Sequence, residues 1–143
     1  MILLVALLLT VDTVRVQEIA DSNLADVAAA AYDDSLSTVY YNPIIMKRVG
    51  PALSMFFMTH EYGHIALKHT RNAEILVGVR EFRYSLQQKE LDADCWATKQ
   101  LEDEHPEAIL AAMRFFSKLG NVSFDKEHPT GATRAANILS CMK

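Results

Sequence analysis

Glycine and proline are scarce in this sequence, and basic residues do not cluster anywhere along it. Only 5 Gly and 4 Pro occur among 143 residues, and half of the residues are hydrophobic, which excludes a disordered or low-complexity chain. The formal net charge of -4 is spread along the chain, which argues against a nucleic-acid partner or a polybasic membrane site. No Gly-rich phosphate loop occurs either. The length suits one domain with its own core.

A membrane-spanning hydrophobic run is also missing. The apolar run at residues 1–10 is too short to cross a bilayer, so no integral membrane span is expected. It has the length of the hydrophobic part of a signal peptide, but a basic start and an A-x-A cleavage site are absent. We interpret residues 1–12 as a signal-peptide-like segment and residues 13–143 as a single exported domain, periplasmic or secreted. The alternative is a buried first strand or helix in a cytoplasmic protein.

The sequence contains only two cysteines, Cys95 and Cys141. In an exported protein, such an even pair predicts a disulfide bond. In the cytosol the same two residues would be buried thiols, so the state of the cysteines and the location of the protein depend on each other.

Hydrophobic patterning predicts a mostly helical α+β fold with a small β part near the N-terminus. Strands are predicted at 13–17 and 37–41, and the alanine-rich 27–32, strand or helix by composition, is paired with 37–41 as a hairpin. Helices are predicted at 43–47, 51–69, 84–102, 106–119 and 130–139. In the last helix, the side chains expected to face inward are Ala132, Ala135, Ala136 and Leu139.

The predicted helix 51–69 carries the sequence His60-Glu61-Tyr62-Gly63-His64. Residues four apart lie on one face of a helix, so His60 and His64 can hold one zinc ion between two imidazoles. Glu61 follows the first ligand and stands beside the metal, where a general base would take a proton from water. An H-E-x-x-H sequence also arises by chance. Here, however, it lies in an apolar helix, where two imidazoles and a carboxylate are costly to bury without a partner.

A catalytic zinc site needs a third protein ligand and one open position. The best candidate is Glu90, which lies 26 residues after His64 on the next predicted long helix. Asp94 is one turn further on and could accept a hydrogen bond from a ligand imidazole, which would fix its tautomer. Between them, the small Ala93 would let the two helices approach closely. Glu and Asp four apart are also common on an ordinary helix surface.

Two further histidines, His69 and His128, are candidates for a place near this site. His69 is five residues past His64, about 140° around an ideal helix, so we expect it to pack or hydrogen-bond at the helix end, where an imidazolium also suits the helix dipole. His128 precedes Pro129 in a polar loop. It would either enter the cleft as an oxyanion stabiliser or displaceable fourth ligand, or lie in a plain surface turn.

Four blocks of the sequence, in this order and spacing, resemble the gluzincin metallopeptidases, and most closely the family of the CAAX prenyl endopeptidase, HtpX and BepA. The resemblance covers about residues 39–139. The four blocks are residues 60–69, 89–94, 115–119 and 127–134. The large members of that family carry transmembrane helices or an added repeat domain. This sequence lacks both and resembles a minimal, soluble version of the catalytic domain.

The resemblance implies a zincin-like fold with an active-site helix pair and one catalytic zinc ion. It implies that His60, His64 and Glu90 are the ligands, Glu61 the base and Asp94 the carboxylate that orients a ligand. It also makes His128 a cleft residue and residues 37–41 the edge strand against which an extended substrate pairs. The expected partner is a peptide or an unfolded protein.

The predicted function is zinc-dependent endopeptidase activity. Zinc would activate a water, Glu61 would take its proton and pass it to the leaving amine, and His128 would stabilise the oxyanion. One rival is a non-hydrolytic, zinc-containing peptide-binding or chaperone-like module. Another is a zinc amidohydrolase that acts on small substrates.

Overall fold

The computed structural model describes residues 15–32, 36–69 and 79–143, and it confirms an α+β fold that is mostly helical. The elements in chain order are β1 (Val16–Ala20), β2 (Ala28–Tyr32), β3 (Ser37–Tyr41), α1 (Pro43–Val49), α2 (Pro51–Ala66), α3 (Val79–Leu101), α4 (Pro106–Leu119) and α5 (Gly131–Cys141). The predicted signal-like segment 1–12 lies outside the described residues.

The three strands form one sheet in the order β1-β3-β2. The predicted hairpin is confirmed, since β2 pairs antiparallel with β3, while β1 pairs with β3 in parallel. The expectation that residues 37–41 form an edge strand is therefore wrong. Strand β3 is the central strand, a position that suits its β-branched and aromatic side chains, and Val39 is fully buried. The edge strand next to α2 is β2 instead.

Helix α2 separates two hydrophobic clusters. On the sheet side, Ile65 packs with Ala28 and Val39. On the other side, Phe56 and Phe57 pack against α4, where Phe57 makes edge-to-face contacts with Phe115 and Phe116. This position explains why the helix is apolar nearly all round before His60.

The close contact between α2 and α3 depends on two small residues. A Cβ atom added to Gly63 would lie 3.2 Å from the Ala93 carbonyl oxygen and 3.3 Å from Cε3 of Trp96. Ala93 itself is fully buried, which confirms the expectation that its size allows the two helices to approach. The contact brings the histidines of α2 opposite the carboxylates of α3.

Helix α2 ends at Ala66, three residues earlier than predicted. The N–H of Lys68 donates to the carbonyl of Ile65 at 3.0 Å, and the N–H of His69 donates to that of His64 at 2.8 Å. These are the two bonds of a Schellman motif, which needs a left-handed residue, and Lys68 has φ of 60°. Glycine usually occupies this position because a left-handed conformation costs other residues about 1–2 kcal/mol, so the lysine gave no sequence signal for the end of the helix.

The inward face of α5 also differs from the predicted one. Ala135 is half-buried and packs against the core as predicted, but Ala132, Ala136 and Leu139 are exposed, and the buried residues are Gly131, Arg134 and Ile138. The buried arginine pairs with a carboxylate of α3, and this pairing sets the rotation of the helix. A pattern read from apolar residues alone therefore missed the inward position of Arg134.

Cys95 and Cys141 form a disulfide bond between α3 and the end of α5, with Cα atoms 5.4 Å apart. This confirms the predicted pairing and is compatible with an exported protein. Among the described residues, no helix combines the length and the hydrophobicity that a membrane span requires.

We predict that replacing both cysteines by serine lowers the free energy of unfolding by about 4 kcal/mol. The disulfide joins residues 46 positions apart, and it restricts the unfolded chain accordingly. Denaturant unfolding of the oxidised protein, the reduced protein and the double variant measures the effect. Equal unfolding midpoints for all three would contradict the prediction, and so would two free thiols in native, air-oxidised protein.

Candidate metal centre

His60, His64 and Glu90 converge between α2 and α3. Each offers one ligand atom, and the three atoms lie within 4.8 Å of one another. The two Nε2 atoms of the histidines are 3.0 Å apart. The Glu90 carboxylate lies across both rings, with Oε2 3.1 Å from Nε2 of His60 and Oε1 3.2 Å from Nε2 of His64.

The donor set suits a divalent metal ion such as zinc. Two imidazole nitrogens and one carboxylate are a common three-ligand set of catalytic zinc sites. Nitrogens bound at about 2.0–2.1 Å by one tetrahedral ion lie about 3.3 Å apart, close to the separation of the two Nε2 atoms. The charge of the surrounding side chains also suits a bound cation. Arg134 neutralises Asp94, which leaves the carboxylates of Glu61 and Glu90 for a cation to balance.

Asp94 and Arg134 lie on the side of the His60 ring that faces away from the convergence point. Asp94 is fully buried, and its Oδ1 lies 2.8 Å from Nδ1 of His60. Arg134 donates to the same carboxylate from Nε at 2.7 Å and from Nη2 at 2.6 Å. Burial opposes the charge on Asp94, but the Arg134 guanidinium keeps the pKa of this carboxyl below its ordinary value. An ionised Asp94 only accepts, so Nδ1 of His60 carries the hydrogen and Nε2 faces the convergence point.

The metal-free site binds a proton strongly. Burial alone would lower the pKa of His60, but the hydrogen bond and charge of Asp94, aided by Glu90, raise it to about 10. The pKa of Glu90 moves far below its ordinary value because its bonds to His60 and His64 outweigh its burial. The site therefore favours positive charge at the point where the three ligand atoms meet.

Glu61 lies beside the three candidate ligand residues and contacts the sheet. Its Oε2 accepts a hydrogen bond of 2.7 Å from the backbone N–H of Ala30 in β2. Burial raises the pKa of Glu61 above its ordinary value, although His60 and His64 oppose this rise. A carboxylate with a raised pKa is better suited to take up a proton near neutral pH.

His128 lies in the cleft rather than in a plain surface turn. Its Nε2 is 3.5 Å from Oε2 of Glu90, and its other ring nitrogen lies 2.8 Å from Oδ1 of Asp125. The same Asp125 oxygen accepts the backbone N–H groups of Glu127 and His128, at 2.7 and 3.0 Å. These bonds order the loop and direct the histidine ring.

His69 lies at hydrogen-bond distance from His64, a candidate ligand residue, at the end of α2. Its Nδ1 is 3.1 Å from Nδ1 of His64, because the Schellman motif turns the chain back over the helix end. The expectation of an imidazolium here is wrong. Burial, followed by the neighbouring His64, lowers the pKa of His69 to about 4, so its ring is neutral near pH 7.

A cleft of about 340 Å³ opens over the convergence point. Its walls come from α2, α3, the His128 loop and the edge strand β2, which contributes Ala28, Ala29 and Ala30. Small side chains on this strand leave room for a ligand beside Glu61 and Glu90.

No protein-family model, curated protein or solved structure matches the chain. The resemblance to gluzincin peptidases therefore depends on the residues of the chain itself.

Proposed function

We propose that this protein is an exported, zinc-dependent endopeptidase of the gluzincin type. The observation that carries the proposal is one arrangement of side chains. His60, His64 and Glu90 converge on a point inside a cleft. The carboxylate of Glu61, which is not one of the three converging groups, lies next to them and accepts a hydrogen bond from the edge strand β2. A purely structural zinc site usually has four protein ligands and needs no neighbouring base.

His60, His64 and Glu90 would hold the metal. Zinc, when bound, supplies Lewis acidity to the attacking water and to the scissile carbonyl. Glu61 accepts a proton from the water at a carboxylate oxygen and then gives it to the leaving amine. Its bond from Ala30 holds one oxygen, Oε2, and leaves the other for proton transfer. His128 gives its Nδ1–H to Asp125, so it would donate a hydrogen bond to the developing oxyanion from Nε2 only when that nitrogen also carries a hydrogen.

The backbone of β2 supplies a place for an extended substrate. The carbonyl of Val27 accepts the N–H of Asn42, so Val27 faces β3. The backbone N–H and C=O groups of successive residues in a strand point to opposite sides, so those of Ala28 and Ala30 point away from β3. The bond from Ala30 N–H to Glu61 agrees with this direction. A peptide added along this edge would place its backbone beside the base.

We predict that Glu90→Ala weakens zinc binding by more than the 10- to 100-fold typical of a lost hydrogen bond to a ligand, because it removes a ligand itself. Competition with a chromophoric chelator measures the affinity. Glu104→Ala removes an exposed carboxylate just after α3 and is the matched control. Unchanged affinity of the Glu90 variant would identify a different third ligand.

The activity is tested by incubating the zinc-loaded protein with casein, a peptide library and small amides, followed by mass spectrometry. We expect cleavage at internal peptide bonds, loss of cleavage with a chelator and recovery with added zinc. Peptide binding without cleavage would contradict the proposal and favour a chaperone-like module. Cleavage of small amides alone would favour an amidohydrolase.

A further inference from the structure

The two ring nitrogens of His64 face different groups. Nε2 lies 3.0 Å from Nε2 of His60 and 3.2 Å from Glu90, at the convergence point. Nδ1 lies 3.1 Å from Nδ1 of His69. A neutral imidazole carries one hydrogen, so the group that contacts Nδ1 decides whether Nε2 is free to bind a metal.

We propose that His69 is a positioning residue of the metal centre, which accepts the Nδ1–H of His64 and thereby fixes the tautomer whose Nε2 binds metal. The inference rests on the proposed zinc site and adds a residue to it. Two nitrogens at hydrogen-bond distance need one hydrogen between them. If His64 binds metal through Nε2, its Nδ1 is the donor, and Nδ1 of His69 must be the acceptor.

A backbone hydrogen bond between His69 and His64 also holds the His69 ring in this position. The N–H of His69 donates to the carbonyl of His64 at 2.8 Å, so backbone and side chain are both joined to the ligand residue. The turn requires φ of 60° at Lys68, a conformation that residues other than glycine seldom adopt. Strained backbone of this kind concentrates at functional sites.

The two histidine ligands would then be oriented by different kinds of acceptor. His60 donates to the ionised Asp94, and His64 donates to a neutral ring. Both contacts are made without a metal, so each ring is already oriented with its Nε2 atom toward the convergence point. His69 also lines the cleft, so it is the one of the two acceptors that solvent and substrate can approach.

Variants at position 69 can separate hydrogen bonding from packing. Nδ1 of histidine and Oδ1 of asparagine are both bonded to Cγ, so His69→Asn keeps an acceptor at nearly the same point. His69→Leu places a methyl group there, and His69→Phe keeps a ring without an acceptor, should the leucine variant fail to fold. His105→Leu, at a histidine whose side chain is 44% exposed, is the control.

We expect zinc affinity, measured by chelator competition, to fall 10- to 100-fold in His69→Leu and to recover most of this loss in His69→Asn. The affinity of His105→Leu should equal that of the wild type. In NMR spectra of the zinc-loaded protein, the Nδ1–H of His64 should be protected from exchange in the wild type and in His69→Asn, but not in His69→Leu.

Wild-type zinc affinity in His69→Leu, with His64 Nδ1–H still protected, would overturn the role of His69 and leave the zinc site intact. Equal weakening in the leucine and asparagine variants would also overturn it, since that result indicates packing alone. Failure of the wild type to bind zinc would instead refute the proposed metal centre.

Discussion

Glu61→Gln is expected to lower peptide hydrolysis by 10²- to 10⁴-fold while leaving the zinc content and affinity unchanged. Glutamine has nearly the shape of glutamate, and its amide oxygen can still accept the N–H of Ala30. It cannot take a proton from water. The substitution therefore removes proton transfer and keeps the packing around the ligands.

Initial rates of the wild type and the variant on one peptide, each with its zinc content measured, give the result. Glu104→Gln, at an exposed carboxylate, should hydrolyse the peptide at the wild-type rate. Undiminished turnover by the Glu61 variant would remove this residue from the mechanism. Loss of zinc together with activity would show that Glu61 acts on the ligands rather than on the water.

Arg134→Met is expected to lower the free energy of unfolding by about 3–5 kcal/mol, the range for breaking a buried ion pair. Arg134 is 3% exposed and Asp94 is fully buried, so the substitution removes the guanidinium and leaves only the His60 ring to balance the Asp94 carboxylate. The guanidinium also lies 4.1 Å from the centre of the Phe116 ring, and the more flexible methionine keeps only part of that packing.

The matched control is Arg114→Met, which removes an exposed arginine from α4 and should change stability by less than about 0.5 kcal/mol. Urea unfolding of both metal-free variants compares them without a contribution from zinc. Similar unfolding curves for the two variants would mean that the bond between α3 and α5 contributes little. Replacing Asp94 by Asn in the Arg134 variant should recover part of the loss, because it removes the buried negative charge that Arg134 had balanced.

Local rules predicted most side chains of the candidate metal site. Residues four apart share a helix face, which was enough to place His60 with His64 and Glu90 with Asp94. The close approach of the two helices could be expected from Ala93, because a small residue leaves room for a neighbouring backbone. These relations need no knowledge of the distant parts of the chain.

The positions that could not be predicted from the sequence are those that depend on interactions beyond local patterning. Arg134 faces inward because Asp94, 40 residues earlier, neutralises it, and hydrophobic patterning treats arginine as exposed. His69 returns to His64 because Lys68 adopts a conformation typical of glycine. The central place of β3 follows from the parallel pairing of β1, a choice that strand patterning does not determine.

The most direct test of the metal centre is a crystal structure of the zinc-loaded protein with anomalous data collected at the zinc edge. One ion is predicted within about 2.0–2.2 Å of Nε2 of His60, Nε2 of His64 and a carboxylate oxygen of Glu90, with Glu61 outside the ligand set. An ion bound by other side chains, or none at saturating zinc, would contradict the proposed centre and the hydrolysis that depends on it.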